Sequence, residues 1–159
     1  MPEKNTDNTM QYNALCSEIT PQIALVVFGE CGALWWLKGL RPGFRHCFVC
    51  LEKGEDWIVV NPLCHYTEVK TIGTADPQTL KSFFTDHGMD SIFAPIIAPT
   101  RITAPFSPFT CVEAVKRILG IHDRWVLTPW QLFQRLSHSR HATPVNDQPA
   151  DVMRSINSA

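Results

Sequence analysis

The chain has 159 residues, 45% of them hydrophobic and 10% aromatic, enough apolar side chain to bury the core of one domain rather than two. A formal net charge of -1 excludes electrostatic steering towards nucleic acid or an anionic membrane. The polar N-terminus MPEKNTDNTMQYN has no signal-type apolar core, and no stretch approaches the roughly 20 apolar residues of a membrane span. A cytoplasmic protein is therefore expected, with its six cysteines reduced, because cytosolic redox poise disfavours disulfides.

Residues 1–20 read as a flexible arm. The run Ile23-Ala-Leu-Val-Val-Phe28, closed by Gly29, is short, β-branched and aromatic, and predicts a buried strand. Residues 30–45 carry three glycines, Pro42 and the pair Trp35-Trp36, and predict a long aromatic loop able to hold one helical turn. Residues 46–51 and 57–61 read as the two strands of a hairpin about the polar turn 52–56. A strand over 67–72 follows the Asn61-Pro62 break. Asp76-Pro77 then opens a helix, as Asp is a favoured N-cap and Pro fits the first helical position; that helix ends near Gly88. Residues 91–97 predict another strand and 98–108 a proline-rich connector.

Two helices close the domain. Thr110-Cys-Val-Glu113 is a capping box, followed by Val112, Val115, Ile118 and Leu119 at helical spacing and by Gly120 where a C′ glycine belongs. Thr128-Pro-Trp-Gln131 is a second capping box, with Leu132, Phe133 and Leu136 as its apolar face. The sequence thus predicts one α+β domain over 21–137, and a disordered tail over 138–159.

The chemistry centres on Cys111. Its place in the first turn of a helix favours the thiolate, the nucleophilic form of cysteine. On helix placement alone, a small core residue beside Val115 is the commoner role of a free cysteine. His46 is the best placed base of the six histidines. Folding the hairpin about 52–56 sets it opposite Asn61, give or take one residue, where a side-chain oxygen can orient the imidazole. His65 is the alternative third residue.

Four segments resemble the circularly permuted papain-like superfamily: Trp36-Leu-Lys-Gly-Leu-Arg-Pro-Gly-Phe-Arg-His46, Asn61, Phe109-Thr-Cys111-Val-Glu-Ala-Val-Lys-Arg-Ile-Leu-Gly-Ile121, and Thr128-Pro-Trp-Gln-Leu132. That superfamily includes bacterial cell-wall amidases of the NlpC type and lecithin:retinol acyltransferase. The resemblance covers about residues 23–136 and implies an antiparallel sheet packed against helices. It also implies Cys111 as nucleophile, His46 as base and Asn61 as orienting residue. Many relatives carry histidine or an acid at the third position, so asparagine is a departure. Gly29-Glu-Cys-Gly-Ala-Leu-Trp35 is superficially similar to the cysteine segment of unpermuted relatives. Leu34 breaks that match, and Cys31 reads as structural or as part of the loop.

Cys47-Phe-Val-Cys50, with Cys64-His65 downstream, is the competing metal pattern. Inside a strand, an offset of three sends the two sulfurs to opposite faces, and a second Cys-x-x-Cys is missing. No metal or other cofactor is expected, and Cys16, Cys47 and Cys64 read as apolar filler or incidental thiols. The remaining histidines, 87, 122, 138 and 141, read as solvated.

The expected function is a cysteine hydrolase or acyltransferase that cleaves an amide or ester through a thioester. Trp35 and Trp36 would line the acyl pocket. Peptide, peptidoglycan, isopeptide and acyl-ester substrates all suit this chemistry, and nothing in the sequence fixes an oligomeric state. The alternative is a catalytically inactive papain-like fold used as a binding or assembly module.

Overall fold

The segment IALVVFG forms β1 (Ile23–Gly29), in which every residue after the first is buried. A strand so uniformly apolar needs cover on both faces. It pairs antiparallel with β2 (His46–Lys53) on one side and β5 (Asp90–Pro95) on the other. Outside β2 lie β3 (Asp56–Pro62) and then β4 (Thr67–Ile72), giving a five-stranded antiparallel sheet in the order β4-β3-β2-β1-β5. Three helices complete it: α1 (Pro77–Asp86), α2 (Cys111–Ile118) and α3 (Pro129–Ala142). These elements come from a computed structural model that describes residues 23–30, 35–97 and 108–142. The expected N-terminal arm, Cys16, Cys31 and residues 143–159 lie outside the described residues.

The helices divide the core in two. Val112, Val115 and Leu119 of the α2 segment and Leu132 and Leu136 of α3 pack on Ala24, Val26, Phe28, Cys47 and Val49. On the opposite face, Leu80 and Phe84 of α1 cover Leu25, Val27, Cys50 and Trp57. The alternation along β1 and β2 therefore sorts side chains between two helical layers. This is an α+β architecture, as the sequence predicts.

The helix starts follow their capping residues. Asp76 Oδ2 accepts from the Gln78 and Thr79 N–H groups at 3.0 and 3.2 Å. Thr128 Oγ1 accepts from the Gln131 N–H at 3.3 Å, and Gln131 Oε1 accepts from the Thr128 N–H at 3.0 Å, which closes that capping box reciprocally. At α2, Thr110 Oγ1 accepts from the Glu113 N–H at 3.2 Å. The buried Glu113 carboxylate also pairs with Lys116 Nζ at 2.9 Å and Arg117 Nε at 2.8 Å. Lys116, just as buried, donates to the Val126 carbonyl at 3.1 Å.

Three boundaries differ from expectation. The hairpin turn is tighter than 52–56, because Glu52 pairs with Trp57 and Lys53 with Asp56, leaving Gly54-Glu55 as the turn. Gly54 takes φ +65 there, a conformation open to glycine. Strand β5 ends at Pro95 rather than 97, because the Ile97 N–H turns away to the Leu119 carbonyl at 3.1 Å. The last helix runs on to Ala142 instead of fraying after Ser137. There Ser137, His138 and Ser139 bond back to carbonyls four residues earlier, so polar residues without an apolar stripe still complete the turns.

Gly120 takes φ +71 after α2, and a Cβ built on it would run into the Ile97 carbonyl oxygen. Gly120→Ala combines a left-handed backbone cost of about 1 kcal/mol with that clash. A loss of about 2 kcal/mol or more in urea unfolding is expected, whereas Gly73→Ala, at a glycine with open space around it, should cost far less.

Candidate active site

β1 ends at Gly29 and β2 begins opposite it at His46. Glu30 and residues 41–45, between these two strands, are held by several contacts. Glu30 accepts from the Gly43 N–H and from Arg45 Nη1, the latter at 2.8 Å. Phe44 is buried against Trp130 and Phe133 of α3, with ring centroids 4.8 and 5.0 Å away, and the Arg41 guanidinium lies 3.6 Å over the Trp130 ring. Aromatic packing and a carboxylate latch thus hold the residues that lead into His46. Nothing in the local sequence marks Glu30, since its partner residues lie 13 and 15 positions downstream.

Asn61 comes from β3. The hairpin register pairs Val49 with Val60, and one further step faces Asn61 with Phe48. His46 and Asn61 are therefore diagonal neighbours on one face, two residues from the directly opposed arrangement expected. The diagonal is within reach of long side chains. His46 Nε2 meets Asn61 Oδ1 at 2.7 Å.

Cys111 is the first residue of α2, and its half-buried side chain packs against the cluster containing Cys47. The His46 imidazole and the thiol and backbone N–H of Cys47 are the groups that act on its sulfur. With Nε2 engaged by Asn61, Nδ1 is the imidazole nitrogen left for Cys111. The structure therefore brings together all three residues singled out as a triad. It adds Cys47, a residue that the sequence presents as apolar filler or an incidental thiol. The signal was available: Cys47 follows His46 on the strand, so alternation turns its side chain to the face that receives α2.

The electrostatics favour charge separation. The Cys47 thiol bond, opposed by burial and assisted by His46, brings the Cys111 thiol down to about 4. Burial works against a charged His46, but bonds to Cys111 and Asn61 outweigh it and raise the imidazole above its usual 6.5. The same Cys111 contact, together with burial, pushes Cys47 well above the ordinary thiol range. Between about 4 and the raised imidazole value, the site holds a thiolate beside an imidazolium.

The other candidates stand elsewhere. His65 is exposed, its ring against Tyr66 at 4.9 Å. The side chains of Trp35 and Trp36, in a short 3-10 turn over Trp35–Gly39, lie outside the described residues. Cys47 and Cys50 belong to core clusters on opposite faces of the sheet, as their spacing in a strand requires. Burial alone pushes Cys50 up to about 12. Among the described residues, no three His, Cys, Asp or Glu side chains gather as a metal site would need, and no helix is long and apolar enough to cross a membrane.

The fold and the site together define an α+β domain with a Cys–His–Asn cluster at the head of a helix. No protein-family model, curated protein or solved structure matches the chain.

Proposed function

We propose that this chain is a cysteine hydrolase or acyltransferase of permuted papain-like organisation, acting on an amide or ester bond. The observation that supports this best is the chain of contacts from Cys111 through His46 to Asn61, with 2.7 Å between the last two. Cys111 as thiolate attacks the carbonyl carbon. The backbone N–H of Cys111, in a helical turn whose N–H groups have no carbonyl four residues back, donates to the oxyanion. The His46 imidazolium gives its Nδ1 proton to the leaving group, and a thioester on Cys111 remains. His46, now neutral, takes a proton from water or an acceptor hydroxyl or amine, which then attacks the thioester. Asn61 keeps the ring oriented throughout. Phe109, 68% exposed and two residues before the nucleophile, offers apolar surface to the acyl portion. Cytoplasmic peptides, peptidoglycan fragments and acyl esters remain the substrate classes that this chemistry suits.

p-Nitrophenyl acetate tests the reading without a natural substrate. A nitrophenol burst and one added acetyl group on Cys111 are expected by peptide mass mapping, and both should vanish in Cys111→Ala. A chain that never acetylates Cys111, yet keeps its fold, would instead be the inactive binding or assembly module.

A further inference from the structure

β4 is the edge of the sheet on the side of the site, and its register sets Glu68 directly opposite Asn61. Asn61 Nδ2 donates to Glu68 Oε2 at 3.4 Å, while Asn61 Oδ1 meets His46 at 2.7 Å. The other Glu68 oxygen holds Lys70 Nζ at 2.6 Å, two residues along the same face. Bonds from Lys70 and then from Asn61 keep the Glu68 carboxyl below its usual range, so it is ionised wherever the thiolate–imidazolium pair exists near neutral pH.

An asparagine amide has two ends of nearly equal shape and opposite polarity. An ionised carboxylate only accepts hydrogen bonds, so one orientation alone satisfies both neighbours of Asn61: NH2 towards Glu68 and carbonyl towards His46. The flipped amide would set two oxygens against each other. It would also offer NH2 to His46 Nε2, which favours a neutral ring carrying its proton on Nδ1. Nδ1 is the nitrogen left for Cys111, and with a proton there it cannot take another from the thiol. The geometry points to Glu68 as a positioning residue that selects the His46 tautomer through the Asn61 amide, without touching the imidazole. This role rests on Cys111 and His46 acting as nucleophile and base. The ionisable groups against the relay are Lys70 from β4 at Glu68 and Cys111 from α2 at His46, and Cys47 from β2 acts on Cys111 in turn.

Two readouts test it. In Cys111→Ala, ring 15N NMR of His46 above its titration should find the proton on Nε2. Adding Glu68→Ala should mix the tautomers, and Glu68→Gln should restore Nε2–H, because its carbonyl can accept from Asn61. In the chain with Cys111, the acid midpoint of iodoacetamide alkylation should rise by about one unit in Glu68→Ala, roughly tenfold less thiolate on the acid limb. Glu68→Gln should stay within about threefold of wild type. A purely structural role would move the melting temperature of both variants and neither of these readouts. A ring with Nδ1–H in the presence of Glu68 overturns the inference, and this result needs no folded Glu68 variant. So does a Glu68→Ala chain that matches wild type in both readouts while His46→Ala still alters Cys111. If Cys111 ignores His46→Ala, the nucleophile-and-base reading itself fails, and the positioning role goes with it.

Discussion

Lowering the pH to 5 should leave Cys111 alkylation by iodoacetamide at about nine-tenths of its plateau rate. With the thiol at about 4, roughly 90% is still thiolate there. An ordinary thiol near 8.5 keeps only about one part in 3,000 of its own plateau. Low basicity has a cost, since intrinsic nucleophilicity falls with thiol pKa; a difference of about 4.5 units lowers it by about a hundredfold. The net advantage of Cys111 over such an ordinary exposed thiol at pH 5 is therefore about thirtyfold. At pH 8 the order should reverse, so acid is where the two separate in Cys111's favour. His46→Ala removes a cationic partner within contact distance, and the Cys111 midpoint should rise by about two units. It should not reach the ordinary range, because both Cys47 bonds remain. Peptide mass mapping after short exposures over pH 3.5–9 measures all of this. A Cys111 profile centred near 8.5 in the wild-type chain would mean that no ion pair forms.

The positions of the site residues were legible in the sequence to different degrees. Cys111 was readable because a helix start is encoded locally: Thr110 and Glu113 fix the first turn whatever packs on it. His46 was readable because β1 and the hairpin are strongly patterned. Asn61 was placed within reach but in the wrong register, since register depends on the turn. The five polar residues 52–56 look like one loop, yet glycine at 54 with a positive φ lets the strands continue to within two residues of each other. Glu68 and Glu30 were not readable. Each acts through a partner on another segment, and nothing in TEVKTI or FGECG marks a carboxylate that orients an amide or latches a loop. The extension of α3 was missed for a different reason. Polar side chains that bond back to the helix carry no periodic apolar signal.

Cys47 has the largest single influence on the nucleophile, and its removal should produce two pH profiles that cross. The Cys47 thiol and backbone N–H both donate to the Cys111 sulfur, and the thiol bond contributes most to lowering it. A hydrogen bond to a charged group is worth about 1.5–3 kcal/mol, hence about one to two pKa units. Cys47→Ala deletes the thiol donor and keeps the N–H, so the Cys111 midpoint should move from about 4 towards 5.5. Fewer thiolates would then exist in acid, but each would be more basic and about fivefold more nucleophilic. Alkylation should consequently be about threefold slower than wild type at pH 4 and about fivefold faster above pH 7, with the curves crossing near pH 5. Cys47→Ser keeps a donor of similar size at the same buried position, and its profile should follow the wild type. Alanine also leaves a small void beside Val49 and Val112, which lowers stability by about 1–2 kcal/mol. A loss of stability alone would not reverse sign with pH, so crossing curves separate the two effects. Parallel curves for Cys47→Ala, or a serine variant that behaves like alanine, would show that the neighbouring thiol packs against the nucleophile without tuning it.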